Sequence, residues 1–353
     1  MVQQYFNTKK KEIYNFAIDY IKKRSKELEK ASRIGPQTCR KLIDFLEGGK
    51  MIRGGMVYLA ADIFGGADSE EAVRCAAAME LFQSAFLIHD DIMDRDDFRR
   101  GKTSVFMQYK NQEDEKTGSE KALHYGESMG ICVGDLAFFQ AYELLSGLSQ
   151  EKLPTILSMC SQEMQYVGIA QMLDVEYSMP NRTVGEKDIE ALYTYKTGRY
   201  TFSLPLMMGA ALANAGQNQI EILGKIGVSL GIVFQLKDDE IGVFGTQGTT
   251  GKIPASDIKE QKKTMYYVYL TENADSSECR KIREIYDKPK PTDKDTNYIL
   301  SLIHTLDVHT QIEKLIEGHT KNAYRHIEQL APVNSEAAKV FHDFVSYNVV
   351  RDR

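Results

Sequence analysis

The stretch HDDIMDRDDFRRG, residues 89 to 101, sets five aspartates within eight positions, directly after a long apolar run. Like charges on neighbouring helical turns repel, and a carboxylate pressed toward an apolar wall loses hydration, so the cluster is unfavourable without a positive partner. On a helix, positions i and i+4 share a face, which projects Asp90 and Asp94 together with Asp91 beside them. That pair suits a hard divalent cation. Magnesium prefers oxygen ligands and keeps several waters, so one or two carboxylates completed by substrate phosphate oxygens serve it better than a full protein cage. Taken alone, a solvated acidic helix end explains the run equally well.

A second cluster shifts that balance. FQLKDDEIGVFG, residues 234 to 245, again ends an apolar run in paired aspartates, Asp238 and Asp239, with Gln235 one turn before them. Two acidic helix ends of the same form point to several magnesium ions, and such ions bind phosphate. The loop TQGTTGK that follows is rich in glycine and threonine and ends at Lys252, which could cover the same phosphates. Basic residues complete the set. Arg99 and Arg100 follow the first cluster, and GGKMIRGG, residues 48 to 55, places Lys50 and Arg53 one turn apart at a loop-to-helix boundary. Arginine forks onto phosphate oxygens and lysine adds a mobile point charge. Any one of them reads as an ordinary surface charge; the combination reads as a phosphate site.

The elements that must position these residues are helical. Prolines number only eight in 353 residues, and apolar residues recur at helical spacing, as with Ile13, Phe16, Ala17, Tyr20 and Ile21. No stretch sustains strand alternation. Capping boxes are read at Asp68 to Glu71 and Thr183 to Glu186. The segments Ser69 to Asp94 and Gln219 to Asp239 are apolar on most faces, as expected of helices inside a bundle. KNQEDEKTG (110 to 118) and YDKPKPTDKD (286 to 295) read as solvated loops. No composition shift cuts the chain, so one large all-α domain over residues 1–353 is expected.

Composition narrows the function classes. A hydrophobic content of 42% supports a globular chain, and the net charge of -6 counts against a nucleic-acid partner. Five cysteines form no CxxC pair and read as thiols of a reducing compartment, which places the protein in the cytoplasm. The N-terminus has no signal-peptide pattern, and Arg74, Glu80, Gln83, Asn214 and Gln217 interrupt the most apolar runs, so no transmembrane segment is expected.

Taken in order, GGKMIR, LFQSAFLIHDDIMD, RRG, YKTGRY (195 to 200), FQLKDD and GKIPASDIKEQKKT (251 to 264) resemble the trans-type, head-to-tail isoprenyl diphosphate synthases over more than half the chain. The resemblance implies a helical bundle of the isoprenoid synthase type with a central substrate cavity. It implies that the two aspartate motifs face each other across that cavity and hold an allylic diphosphate through three Mg2+ ions. Asp90, Asp94 and Asp238 then correspond to the principal metal ligands, with Asp91 and Asp239 supporting them. Arg99, Lys196, Gln235, Lys252 and Lys262 correspond to the allylic-diphosphate contacts, and Lys50, Arg53, Gln83 and Arg100 to the isopentenyl-diphosphate pocket. Thr197, Tyr200 and Gln235 correspond to the lining where the cation forms, and Lys196 and Thr197 join the three aspartates and Gln235 in the catalytic set. Gly242 departs from the fullest pattern, since a third aspartate often lies there.

The implied activity is condensation of isopentenyl diphosphate with dimethylallyl, geranyl or farnesyl diphosphate by ionisation to an allylic carbocation, in a homodimer. Product length follows from residues before the first aspartates. Two large aromatics at the fourth and fifth positions stop growth at farnesyl in the family; here Phe86 and Ala85 stand there, so geranylgeranyl diphosphate (C20) is the expected main product and farnesyl (C15) the alternative. His89 reads as a helix residue, because a base beside a carbocation would promote early elimination. A class I terpene cyclase needs no second diphosphate site, and a non-catalytic partner subunit would lose metal ligands; Lys50, Arg53 and the two intact aspartate pairs count against both.

Overall fold

The structure, a computed structural model, describes residues 1–245 and 255–349. Lys252 and the glycine-threonine loop before it, like Arg351 and Arg353, lie outside the described residues. Nearly every described element is an α-helix, so the all-α expectation holds. The chain resolves into two compact units, Met1–Ser158 with Met208–Ala215, and Met159–Met207 with Gly216–Arg353.

In the first unit, α1 (Val2–Glu29) buries Ile13, Ala17 and Ile21, one residue per turn, and α2 (Ile34–Glu47) buries Leu42 and Leu46 in the same way. The helix α3 (Ile52–Ile63) is buried along nearly its whole length from Gly54 onward. Beside it runs α4 (Ser69–Met93), apolar on most faces as the sequence predicts. Its cap is half of the expected box: Asp68 accepts the N–H groups of Glu70 and Glu71, but the Glu71 carboxylate turns instead to the Ser149 N–H.

A two-residue hairpin, β1 (Phe98–Arg99) and β2 (Lys102–Thr103), follows α4. It is tight because Arg100 and Gly101 both hold positive φ, at 54° and 75°. Next come α5 (Val105–Thr117) and α6 (Ser119–Ser146). The charged stretch 110 to 118, expected as a loop, is the second half of α5 as far as Thr117, with Gly118 as its cap. Val105, Phe106 and Tyr109 are buried at its start and carry the helix on into the charged turns. On α6, Gly130 and Gly134 let the helix close onto α4, since a side chain at Gly130 would meet Ile92 and one at Gly134 would meet the His89 ring. That contact fixes the end of α4 where the aspartates lie.

The helix α7 (Leu153–Ser178) leads into the second unit, where α8 (Glu186–Leu192) opens at Gly185 rather than at Thr183. A π-helical stretch, Tyr193–Ser203, continues α8 and passes into α9 (Leu204–Leu212). The core helix is α10 (Gln217–Phe244), a turn longer at its end than the sequence predicts. It is long and apolar enough to cross a membrane, yet 61% of its most apolar window is buried inside the structure. Gly231 of α10 meets Gly198 of the π-helical stretch so closely that a side chain at Gly231 has no room. The further described helices of the unit are α11 (Ser256–Lys259), α12 (Met265–Asn273), α13 (Ser276–Tyr286), α14 (Asp293–Thr305), α15 (Val308–Ile327) and α16 (Ser335–Val349). Residues 287 to 292 link α13 to α14, within the expected loop.

Candidate active site

The first cluster sits at the C-terminal end of α4, with Asp94 as its cap. The helix dipole is negative there, so three carboxylates in the last turn have no support from the backbone and call for cations. Arg99 supplies one from the hairpin. Its Nε donates to Asp91 Oδ1 at 2.5 Å, its Nη2 donates to Asp96 Oδ2 at 3.0 Å, and it lies 3.8 Å from Asp90 Oδ2. Asp91 is 0% exposed, and its Oδ2 has no hydrogen-bond partner among the described residues. Burial pushes the Asp91 carboxyl up to about 6, while Arg99 pulls it back toward the charged form. A buried carboxylate with one oxygen unmet, beside a half-buried Asp90 and an exposed Asp94, fits a divalent cation completed by external oxygens. Among the described residues no three acidic, histidine or cysteine side chains form a closed metal cage. Mg2+, which keeps waters and takes phosphate oxygens, needs none.

The cationic residues of the expected second phosphate pocket come together on the same unit. Arg100 lies over the GG of GGKMIR: a side chain at Gly48 would meet its Cδ at 3.0 Å, and its Nη1 donates to the Phe45 carbonyl at 3.2 Å. Lys50 is exposed between α2 and α3, and Met51 after it takes a left-handed φ of 54° that turns the chain into α3. Glu80 of α4, 5% exposed, accepts the Gly54 N–H at 2.8 Å. Burial raises its carboxyl, opposed by that N–H and by the charges of Arg53 and Arg100. Glu80 thus ties the start of α3, which carries Arg53, to the helix that carries Asp90. Gln83 stands half-buried one turn further along α4.

The second cluster lies in the last turns of α10. Asp238 is half-buried, whereas Asp239 is 3% exposed and turned inward. Gln235 Nε2 donates to Asp239 Oδ1 at 3.0 Å, and the Tyr193 hydroxyl donates to Oδ2. Thr197 Oγ1 donates in turn to Gln235 Oε1 at 3.1 Å. Lys196 pairs with Asp174 of α7, and Arg199 forks onto the buried Glu163 at 2.6 and 2.9 Å. Both bonds anchor the π-helical stretch, a backbone form that is rare and recurs at functional sites. Lys262 is exposed and pairs with Glu260 at 2.8 Å. Tyr200 is buried. The Asp257 carboxylate lies where a side chain at Gly242 would stand, so a carboxylate does reach that point, from fifteen residues further along.

Ahead of the first cluster, Ala85 is fully buried and Phe86 half-buried. Phe86 meets Phe138 of α6 edge-on at 4.9 Å between ring centres, and Phe82, one turn earlier, lies 6.1 Å from the same ring. His89 is engaged with α6, its Nε2 3.0 Å from the Ile131 carbonyl oxygen.

Sequence reasoning missed Glu80, Asp174, Glu163, Tyr193 and Asp257. No local pattern names the partner of any of them; only a residue distant in the chain gives each its meaning.

A family model described as polyprenyl synthetase matches residues 36–303. The geranylgeranyl diphosphate synthase of Sulfolobus acidocaldarius is 30% identical over 65% of this chain and 64% of its own length. The short chain isoprenyl diphosphate synthase of Methanocaldococcus jannaschii is 30% identical over 67% of each chain. The fold superposes with a TM-score of 0.86 and 25% identity on the crystal structure of a geranylgeranyl pyrophosphate synthase from Corynebacterium glutamicum, over 97% of this chain and 99% of that one; that structure holds isoprenyl diphosphate and magnesium.

Proposed function

The chain belongs to the polyprenyl synthetase family, and from that premise we propose that it condenses isopentenyl diphosphate with dimethylallyl, geranyl and farnesyl diphosphates, with geranylgeranyl diphosphate as main product. The observation that carries this reading is the pairing of two charge systems along α4: the carboxylates at its end, and the Arg53–Arg100 pocket that Glu80 fastens to it. A transferase joining two diphosphates needs both. A terpene cyclase needs only the first.

Asp90, Asp94 and Asp238 would hold Mg2+, three ions with substrate bound, with Asp91 and Asp239 supporting from their buried positions. Bound there, Mg2+ supplies the positive charge that makes diphosphate a competent leaving group. Arg99, Lys196, Lys252 and Lys262 take the allylic diphosphate. Arg99, Lys196 and Lys262 rest on Asp91, Asp174 and Glu260, so each exchanges a carboxylate for phosphate oxygens.

The allylic C–O bond breaks with both electrons leaving on oxygen. Thr197, Tyr200 and Gln235 present oxygen dipoles to the resulting carbocation without a strong base. Lys50, Arg53, Gln83 and Arg100 hold the isopentenyl diphosphate, whose double bond gives its electron pair to the cation and forms the new C–C bond. The departing diphosphate takes the proton that restores a double bond. Apolar walls keep water from trapping the cation as an alcohol.

Residues 1–353 act as one synthase domain in this reading, in a cytoplasmic homodimer. Farnesyl diphosphate as main product is the second reading, favoured by the Phe86–Phe138 contact ahead of the aspartates. Incubating the purified chain with Mg2+, isopentenyl diphosphate and each allylic diphosphate tests the proposal. A C20 product supports it, and no extension of any allylic diphosphate overturns it.

A further inference from the structure

Tyr193 opens the π-helical stretch, three residues before Lys196, and is buried in an apolar cluster with Ile189, Val233, Leu236 and Met265. Its hydroxyl makes two bonds there. It donates to Asp239 Oδ2, and it accepts the N–H of Met265, the first residue of α12, at 3.0 Å. The other Asp239 oxygen takes the Gln235 amide N–H, which leaves Gln235 Oε1 turned to the Thr197 hydroxyl. A buried carboxylate is tolerated where its oxygens are bonded, and here each oxygen has one donor from a different element. The bonds run in series: Met265 N–H, Tyr193 hydroxyl, Asp239 carboxylate, Gln235 amide, Thr197 hydroxyl. Remove the phenol oxygen, and Asp239 loses the donor that sets its rotamer. Gln235 and Thr197 then lose the anchor behind them.

We propose that Tyr193 is a positioning residue for the second aspartate cluster: its hydroxyl fixes the Asp239 carboxylate, which holds Gln235 and Thr197 in the geometry that the allylic diphosphate meets. This rests on the reading of Asp238, Gln235 and Thr197 given above. Both bonds of the Tyr193 hydroxyl are made within the protein, so it acts through Asp239. Its ring supplies packing, its oxygen supplies alignment, and Tyr193→Phe separates the two.

The test measures kcat, both Michaelis constants and, by calorimetry, binding of Mg2+ with inorganic diphosphate. A hydrogen bond to a charged group is worth about a tenfold effect, so Tyr193→Phe is expected to lower kcat and weaken Mg2+-diphosphate binding each by about tenfold, with the Michaelis constant for isopentenyl diphosphate unchanged. Asp239→Asn added to Tyr193→Phe is expected to cost less than it does in the wild type, because both act through one bond.

Tyr266→Phe is the control. Tyr266 is a buried tyrosine of the same cluster whose hydroxyl pairs with His309 Nδ1 at 3.0 Å, outside the series. If Tyr266→Phe lowers kcat as much as Tyr193→Phe, the effect is general loosening and the proposal falls. It falls also if Tyr193→Phe leaves both kcat and Mg2+-diphosphate binding within about twofold of wild type, the usual spread for uncoupled sites. Wild-type turnover tests the underlying reading separately, and the calorimetry reads Tyr193 even in a chain that turns nothing over.

Discussion

The Asp257 carboxylate fills the space that a side chain at Gly242 would occupy. Glycine is therefore required at 242 by the segment that folds back over it, rather than being a carboxylate lost from the motif. Gly242→Ala places a methyl against that carboxylate, and Gly242→Asp adds a second negative charge to a buried acid. Overpacking of this kind costs about 1–3 kcal/mol, or a Tm loss of about 1–4 °C in a chain of this size. Calorimetric melting checks it. Pairing Gly242→Asp with Asp257→Ala should recover most of the loss, and a double variant no more stable than Gly242→Asp would show that the two positions do not compete.

Activity should need both aspartate clusters. Asp90→Ala or Asp238→Ala removes charge compensation that matters most as the C–O bond breaks, so turnover should fall by about three orders of magnitude with the helical circular dichroism unchanged. Near-normal turnover in either variant would sink the assignment of that cluster.

The two phosphate pockets should separate kinetically. Lys50→Ala or Arg53→Ala removes charge-assisted bonds to the nucleophile, raising the Michaelis constant for isopentenyl diphosphate by about tenfold or more and touching allylic binding less. Steady-state kinetics with each substrate varied in turn decides it. An effect confined to the allylic substrate would mean that the pockets have been exchanged.

Cys160 of α7 offers a pH dependence. Burial, and secondarily the Glu163 charge, pushes its thiol up to about 12 from an ordinary value near 9. A raised pKa means that the folded chain holds a proton the unfolded chain releases. Stability from the neutral thiol is complete below pH 9 and is lost as pH rises toward 12, by up to about 1.4 kcal/mol per pH unit. Urea unfolding at pH 8, 9 and 10 should show wild type losing stability against Cys160→Ala over that range. A difference constant with pH would show that the thiol titrates as freely folded as unfolded.

What the sequence made legible was local. Asp90 and Asp94 share a face because they are four apart, and GGKMIR turns into a helix because glycines precede an apolar run; neither needs knowledge of the rest of the chain. The stretch 110 to 118 was misread because its charges hide the buried start of the helix it belongs to. Glu80 and Tyr193 were illegible for another reason. Glu80 meets Gly54 26 residues away, and Tyr193 meets Asp239 and Met265 at 46 and 72. No pattern within a helix encodes such a partner. The π-helical backbone around Lys196 and Thr197 was equally silent: its Gly198 packs closely against Gly231, 33 residues further along, and no local pattern marks that contact.

In the proposed reading, product length turns on the wall ahead of Asp90. Ala85 and Phe86, five and four residues earlier, lie about one turn back along α4, where a bulky residue would limit how deep a prenyl tail grows. Ala85 is fully buried, so the added ring of Ala85→Phe overpacks this wall, and on the proposed reading the product should shorten toward C15. Phe86→Ala should lengthen it. Phe138 of α6 joins this wall, because its ring closes edge-on against Phe86 and lies near Phe82, whereas its neighbour Phe139 is 71% exposed. Phe138→Ala should therefore lengthen the product as Phe86→Ala does, and Phe139→Ala should leave it unchanged. Chromatography of the dephosphorylated products reads all four. Wild-type chains of C30 or longer, an unchanged distribution in Ala85→Phe, or a shift in Phe139→Ala matching that in Phe138→Ala would place the wall on other residues.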